Sequence, residues 1–119
     1  MQLQLRYLAH SRSGDKGNIF NIGIFSYDPA AFPYLVDQLT ESVMHEFYRM
    51  ASKVDRHIAK NIHGMNFVMH EALAGGVSRT LALDNYGKAM ASAILRYEVD
   101  VPDKIGHAAL RRFGHPEKA

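Results

Sequence analysis

An α+β sandwich, with helices laid on one face of an antiparallel sheet, is the fold class this sequence predicts, and three observations carry the prediction. The chain has 119 residues, of which 47% are hydrophobic and 22% charged. That suits one domain burying about two-thirds of the surface its unfolded form exposes. Segments in which apolar residues alternate with polar ones are interleaved with segments in which they recur every three or four residues. From Ile19 to Val101 these segments run strand, helix, strand, strand, helix, strand, with an extra strand in front.

Leu3, Leu5 and Tyr7 alternate with Gln2, Gln4 and Arg6, the pattern of a half-buried strand. Ser11 to Asn18 (SRSGDKGN) is all turn formers and charge and reads as a loop, with Gly14-Asp15 and Lys16-Gly17 as candidate hairpin turns. Ile19 to Phe25 is nearly continuous in apolar residues, as in a central strand covered on both faces. Pro33 belongs in a first helical turn, where its missing N–H costs nothing, and Tyr34 to Leu39 continues that helix. Thr40 can cap a second helix over Glu41 to Ala51, with Val43, Phe47 and Met50 on the buried face. Val54 to Ile62 places Arg56 and Lys60 among its apolar residues and reads as an edge strand protected by charge.

Asn66 to Gly75 alternates at first but ends Glu-Ala-Leu-Ala-Gly; it is assigned to a short helix with Gly75 just past its end. Val77 to Leu83 is a strand whose buried face starts at Arg79, and Asp84 or Asn85 caps a helix that buries Tyr86, Met90, Ala93, Ile94 and Tyr97. A last strand, Glu98 to Val101, stops at Pro102. This is the split βαβ order of a ferredoxin-like α+β sandwich. The folded domain is residues 1–102 and residues 103–119 form a C-terminal tail, with a helical turn between Ile105 and Phe113.

The absence of cysteine excludes a disulfide framework, thiolate metal sites and thiol nucleophiles, and fits a reducing, cytoplasmic setting. No apolar run approaches the roughly 20 residues that span a bilayer, so no membrane association is expected. Net charge is +2, and the body through Pro102 balances ten Lys/Arg against ten Asp/Glu. Without a basic stripe interleaved with aromatics, nucleic acid is not an expected partner.

Chemistry is concentrated in two polar, glycine-bearing segments, His10 to Asn18 and Gly75 to Thr80. Gly14, Gly17, Gly75 and Gly76 allow close backbone approach, while Arg12, Lys16 and Arg79 supply cationic donors; together they could cradle a carboxylate or phosphate. Neither segment has the spacing of a named phosphate loop. Ser11, Ser13 and Ser78 stand outside any GxSxG context. His45-Glu46 and His70-Glu71 begin like HExxH, but Arg49 and Ala74 stand where the second histidine would be, so no metal and no cofactor is expected. His70 is the candidate proton carrier, four residues after Asn66 on the same helical face, and a core histidine tied to a carbonyl is its plainer reading. Arg79 starts a buried face and requires a partner, for which Asp15 is the best placed in type. The expectation is one pocket bordered by His70, Arg12, Lys16 and Arg79.

The stretches AHSRSGDKGNIFNIGIF and NFVMHEALAGGVSRTLALDNYGKAMASAILRYEVDVP resemble the AtuA-like ferredoxin-fold domain, known chiefly as the C-terminal domain of acyclic terpene utilisation proteins and also as a short separate chain. The likeness covers residues 3 to about 102 and departs from the family pattern at Ser11 and at Ala74, which replaces the first of three glycines. It implies a small subunit or accessory domain that partners a large acyclic-terpene-utilisation-type protein in catabolism of branched acyl-CoA compounds. Motif matching carries over Ser13, Gly14, Asp15, Lys16, Gly17, Asn18, Asn66, His70, Gly75, Gly76, Ser78 and Arg79. Asp15 and Lys16 stand with His70 as candidate catalytic groups of a stand-alone acid–base enzyme, the rest with Arg12 as ligand-binding residues. A non-catalytic ligand-sensing or oligomerising module is the third reading. Homo-oligomerisation is expected because helices on one face leave the other needing cover, with Leu3, Leu5 and Tyr7 adding apolar surface to it.

Overall fold

Phe20, Ile22 and Ile24 are almost completely buried, and the strand that carries them organises the computed structural model. The structure describes residues 1–16, 19–49, 51–70 and 92–114. Strands β1 (Gln2–Gln4), β2 (Ala9–Lys16) and β3 (Ile19–Ser26) are followed by helices α1 (Phe32–Gln38) and α2 (Glu41–Phe47). Then come β4 (Lys53–Ala59), β5 (Gly64–His70), β6 (Glu98–Asp100) and α3 (Asp103–Arg112). Four strands form an antiparallel sheet in the order β2-β3-β5-β4, and β1 pairs with β6 in a separate two-stranded ribbon.

Both β3 and β4 run antiparallel to β5, so they are parallel to each other with β5 inserted between them and α1–α2 as the crossover. This is the split βαβ unit that the element order predicts. The last strand departs from expectation. Glu98–Asp100 pairs with β1, and the position beside β3 belongs to β2.

Ser11 to Lys16, expected as loop, is therefore strand. A long apolar strand such as β3 needs backbone partners along its whole length, and that need overrides the low strand propensity of Ser, Gly and Asp. Asn66 to His70 is strand rather than helix, because its alternation buries Met65, Phe67 and Met69 between two partner strands. Gly75, Val77 to Leu83 and the helix start at Asp84 or Asn85 lie outside the described residues.

Opposite the sheet's inner face, Phe32, Leu35 and Leu39 of α1 and its exit complete the core with Met44 and Tyr48. Thr40 caps α2 as expected, its hydroxyl accepting from the Val43 N–H at 3.2 Å. The buried face is rotated by one residue, however. The helix ends at Phe47, so Met44 and Tyr48 go inward while Phe47 stays 38% exposed against the Tyr97 ring. β4 is the expected edge strand, and its protection is specific: the Arg56 N–H donates to Glu41 Oε2 at 2.8 Å, and Arg56 Nη1 donates to the Val36 and Leu39 carbonyls at 2.6 and 2.7 Å.

Leu3, Leu5 and Leu8 all enter the core, because the chain leaves β1 through a 3-10 turn at Leu5–Tyr7. The apolar surface that Leu3 and Leu5 were expected to add to the outer sheet face is thus inside, and Tyr7, expected with them, is half-buried against the core. Gln38 completes the ribbon: its side-chain amide donates to the Asp100 carbonyl and accepts from the Asp100 N–H, both at 2.7 Å. The tail beyond Pro102 is more than a single turn. α3 buries Ala109 and Leu110 against the body, and Gly106 leaves the space that the Met1 side chain fills. No helix among the described residues is long and apolar enough to cross a membrane.

Tyr48 joins the crossover to the later part of the chain: its hydroxyl accepts from the Ile94 N–H at 3.3 Å. Burial pushes its pKa up to about 12, opposed in part by that hydrogen bond. A tyrosine that stays neutral when folded but ionises near 10 when unfolded costs stability as pH rises from about 10 to about 12, and nothing below that window. Tyr48→Phe is expected to lose about 1 kcal/mol at neutral pH from the missing hydrogen bond. The same variant should show a flatter fall in denaturant midpoint between pH 10 and 12, followed by circular dichroism.

Candidate functional site

In an antiparallel ladder, paired residues share a face. With Phe20, Ile22 and Ile24 inward, the outward rows are His10–Phe25–Gly64–Ala59, Arg12–Gly23–Asn66–His57, Gly14–Asn21–Val68–Asp55 and, by register, Lys16–Ile19–His70–Lys53. Arg12, Gly14, Asn66 and His70, all predicted as site residues, thus lie on one open polar face. Ser13 falls in the intervening row with Ile22, and Asp15 pairs in register with Phe20. Gly17, Asn18, Gly75, Gly76, Ser78 and Arg79 lie outside the described residues, as does the expected Asp15–Arg79 pairing.

One end of the face carries an ionic cluster. His70 Nε2 and Asp55 Oδ2 are 2.8 Å apart, and Lys53 Nζ lies 3.7 Å from Asp55 Oδ1. The hydrogen bond from His70 holds the Asp55 carboxyl below the usual carboxylate range; burial opposes it, and the charges of Lys53, His70 and His57 add to it. Sequence reasoning offered Asp15 or Lys16 as partners for His70 and did not single out Asp55. The missed signal is the alternation of Lys53, Asp55 and His57 on a strand recognised as an edge, but register alone shows that this row meets His70. Such a carboxylate–imidazole pair can orient the ring, the arrangement a general acid or base uses.

The other end carries a cavity of about 370 Å³ lined by His10, Arg12, Phe25, Ser26 and Ile62. Phe25 and Ile62 give it apolar walls, and Ser26 is already committed, its hydroxyl donating to the Asp28 carbonyl at 2.7 Å. Arg12 is exposed, and its side chain makes no hydrogen bond or ion pair with any described residue. Among the described residues its guanidinium donors are therefore uncommitted.

Arg12 and His70 stand well apart on this face. Two strand spacings of about 4.8 Å and four residues at about 3.3 Å put their backbones about 16 Å apart. Gly14 makes room for the Asn21 side chain, since a Cβ there would sit 2.7 Å from Asn21 Oδ1. His45, the other histidine of an HE pair, bonds the Ala51 carbonyl at 2.8 Å. A larger apolar cleft of about 540 Å³, between α1 and the turn at Lys60, contains only Asp37, Lys60 and His63 as charged or titratable lining groups.

Two measurements test this geometry. In His70→Ala the Asp55 carboxyl should titrate closer to its ordinary value by NMR, and because a depressed carboxylate stabilises the fold only above its range, the stability difference from wild type should vanish as pH falls through it. Gly23→Ala should cost about 1–3 kcal/mol in urea unfolding, since its Cβ would lie 2.8 Å from Phe25 Cε2.

Among known proteins, the family model described as the AtuA ferredoxin-like domain matches residues 3–100. No curated protein and no solved structure matches the chain.

Proposed function

The chain belongs to the AtuA ferredoxin-like domain family, and from that premise we propose that it is the small subunit of a two-component system acting on branched acyl-CoA thioesters. It partners a large acyclic-terpene-utilisation-type protein and contributes a site for the anionic part of the substrate. The observation that carries this reading is Arg12, a guanidinium with no internal partner among the described residues, at a cavity walled by Phe25 and Ile62. A planar fork of donors suits a phosphate or carboxylate, and apolar walls suit the rest of the molecule. At about 370 Å³ the cavity lies at the small end of ligand sites, too small for a whole acyl-CoA, so the large partner supplies the remainder.

Co-expression with the large protein should give a complex that survives gel filtration. Calorimetric titration of that complex with short branched acyl-CoA should show binding weakened about tenfold or more in Arg12→Ala, as expected when a charge-assisted contact worth about 1.5–3 kcal/mol is removed. Either wild-type affinity in Arg12→Ala or failure to form a complex would overturn the reading.

The Asp55–His70 hydrogen bond favours a second reading, a stand-alone acid–base enzyme. The purified chain would then exchange the α-proton of an acyl-CoA thioester with deuterated solvent, and His70→Gln would abolish the exchange. Under the first reading the isolated chain is inert in this assay.

A further inference from the structure

Three features of the open sheet face converge at its His10 end. Gly23 on β3 and Gly64 on β5 both face the Phe25 ring: an added Cβ would lie 2.8 Å from Cε2 at the first and 2.6 Å from Cδ1 at the second. The ring therefore packs over two glycines, whose missing side chains leave the room it occupies. His10, paired with Phe25 across the ladder, holds its ring nearly parallel, with centroids 5.4 Å apart and planes 25° apart. Tyr27 continues the row, 5.5 Å from the His10 centroid at 37°.

We infer that this row of rings is a stacking platform for the adenine nucleotide portion of the ligand, with Arg12 taking a phosphate beside the stacked base. The inference deepens the acyl-CoA reading and rests on it, because the adenine nucleotide is the part of an acyl-CoA that is both planar and polyanionic. Glycine in a strand interior weakens the sheet and marks a place where something must approach closely. Two of them on neighbouring strands under one ring give the sheet an aromatic floor that a simple anion site would not use. Every nucleobase presents a π-face to such a floor, and an adjacent guanidinium adds charge. Arg12 stands two residues from His10 on β2, on the same face and lining the same cavity. Among the described residues the rest of the face mixes polar Asn21, Asn66, His57 and Lys53 with aliphatic Ile19 and Val68, and no row of stacked rings recurs there.

The full chain, with its large partner where the complex forms, is titrated with four probes: an acyl-CoA, adenosine 3′,5′-bisphosphate, the matching acyl-pantetheine without the nucleotide, and inorganic pyrophosphate. Adenosine bisphosphate is expected to compete with acyl-CoA. Phe25→Leu should weaken adenosine bisphosphate about tenfold, while pyrophosphate binding is unchanged. His10→Leu, at an edge-strand position, serves the same purpose should Phe25→Leu not fold, and melting curves report folding for both. If acyl-CoA and acyl-pantetheine bind alike and adenosine bisphosphate does not compete, the platform is overturned and the acyl-CoA reading stands. If adenosine bisphosphate binds at the rings but acyl-CoA does not, the acyl-CoA reading fails and the platform belongs to another nucleotide. A short oligoadenylate binding far more tightly than adenosine bisphosphate overturns the small-molecule proposal in favour of RNA. If the ring variants lower only the melting temperature, the rings are sheet packing and the inference is overturned.

Discussion

Burying Phe20, Ile22 and Ile24 on one side of β3 obliges Ile19, Asn21, Gly23 and Phe25 to the other, because side chains along a strand alternate with a period of two. β3 is paired on both sides, so the same parity passes through β2 and β5 to β4. Arg12, Asn66, His70 and Asp55, from three different strands, share the open face for this one reason. A slip of a single residue would turn the whole constellation inward and the core outward. The hydrophobic pattern of one strand is therefore also what assembles the polar face.

Holding that register requires the sheet to end cleanly on its β4 side, and Arg56 and Glu41 do this together. The Arg56 guanidinium collects carbonyls at the end of α1, a place where a cation is favoured, while Glu41 takes up the N–H of the same arginine. The edge strand is thus tied to the start of the crossover's second helix and to the end of its first. Gln38 does comparable work at the ribbon, where its amide stands in for a neighbouring strand beside Asp100. These contacts use side-chain polar groups to satisfy backbone that the sheets leave unpaired.

The open face divides into two ends of different chemistry. At the His70 end, an imidazole and an ammonium lie beside a carboxylate and hold it below its usual range. At the His10 end an arginine whose side chain has no partner among the described residues stands beside a row of rings. A separation of about 16 Å is too far for a single small anion to touch both, but it lies within the reach of an extended molecule lying across the strands. Under the proposed function, an acyl-CoA thioester has the length to span both ends.

Local pattern was sufficient for much of this. The Pro33 helix start, the Thr40 cap, the β3 core run, the charged edge strand and the split βαβ order all follow from residue spacing, since each reflects an energy the chain meets within a few residues of itself. Ser11 to Lys16 and Asn66 to His70 were misread because their strand character comes from partners distant in sequence, which outweigh weak intrinsic preference. The Met44–Tyr48 face was missed by one residue because it depends on where α2 stops. The sequence by itself determined which residues could do chemistry, and the resemblance in its motifs pointed to the family. Only tertiary structure decided that His70 pairs with Asp55, and that Arg12 sits with His10 and Phe25: such pairings follow from strand register, and register is a property of the assembled sheet.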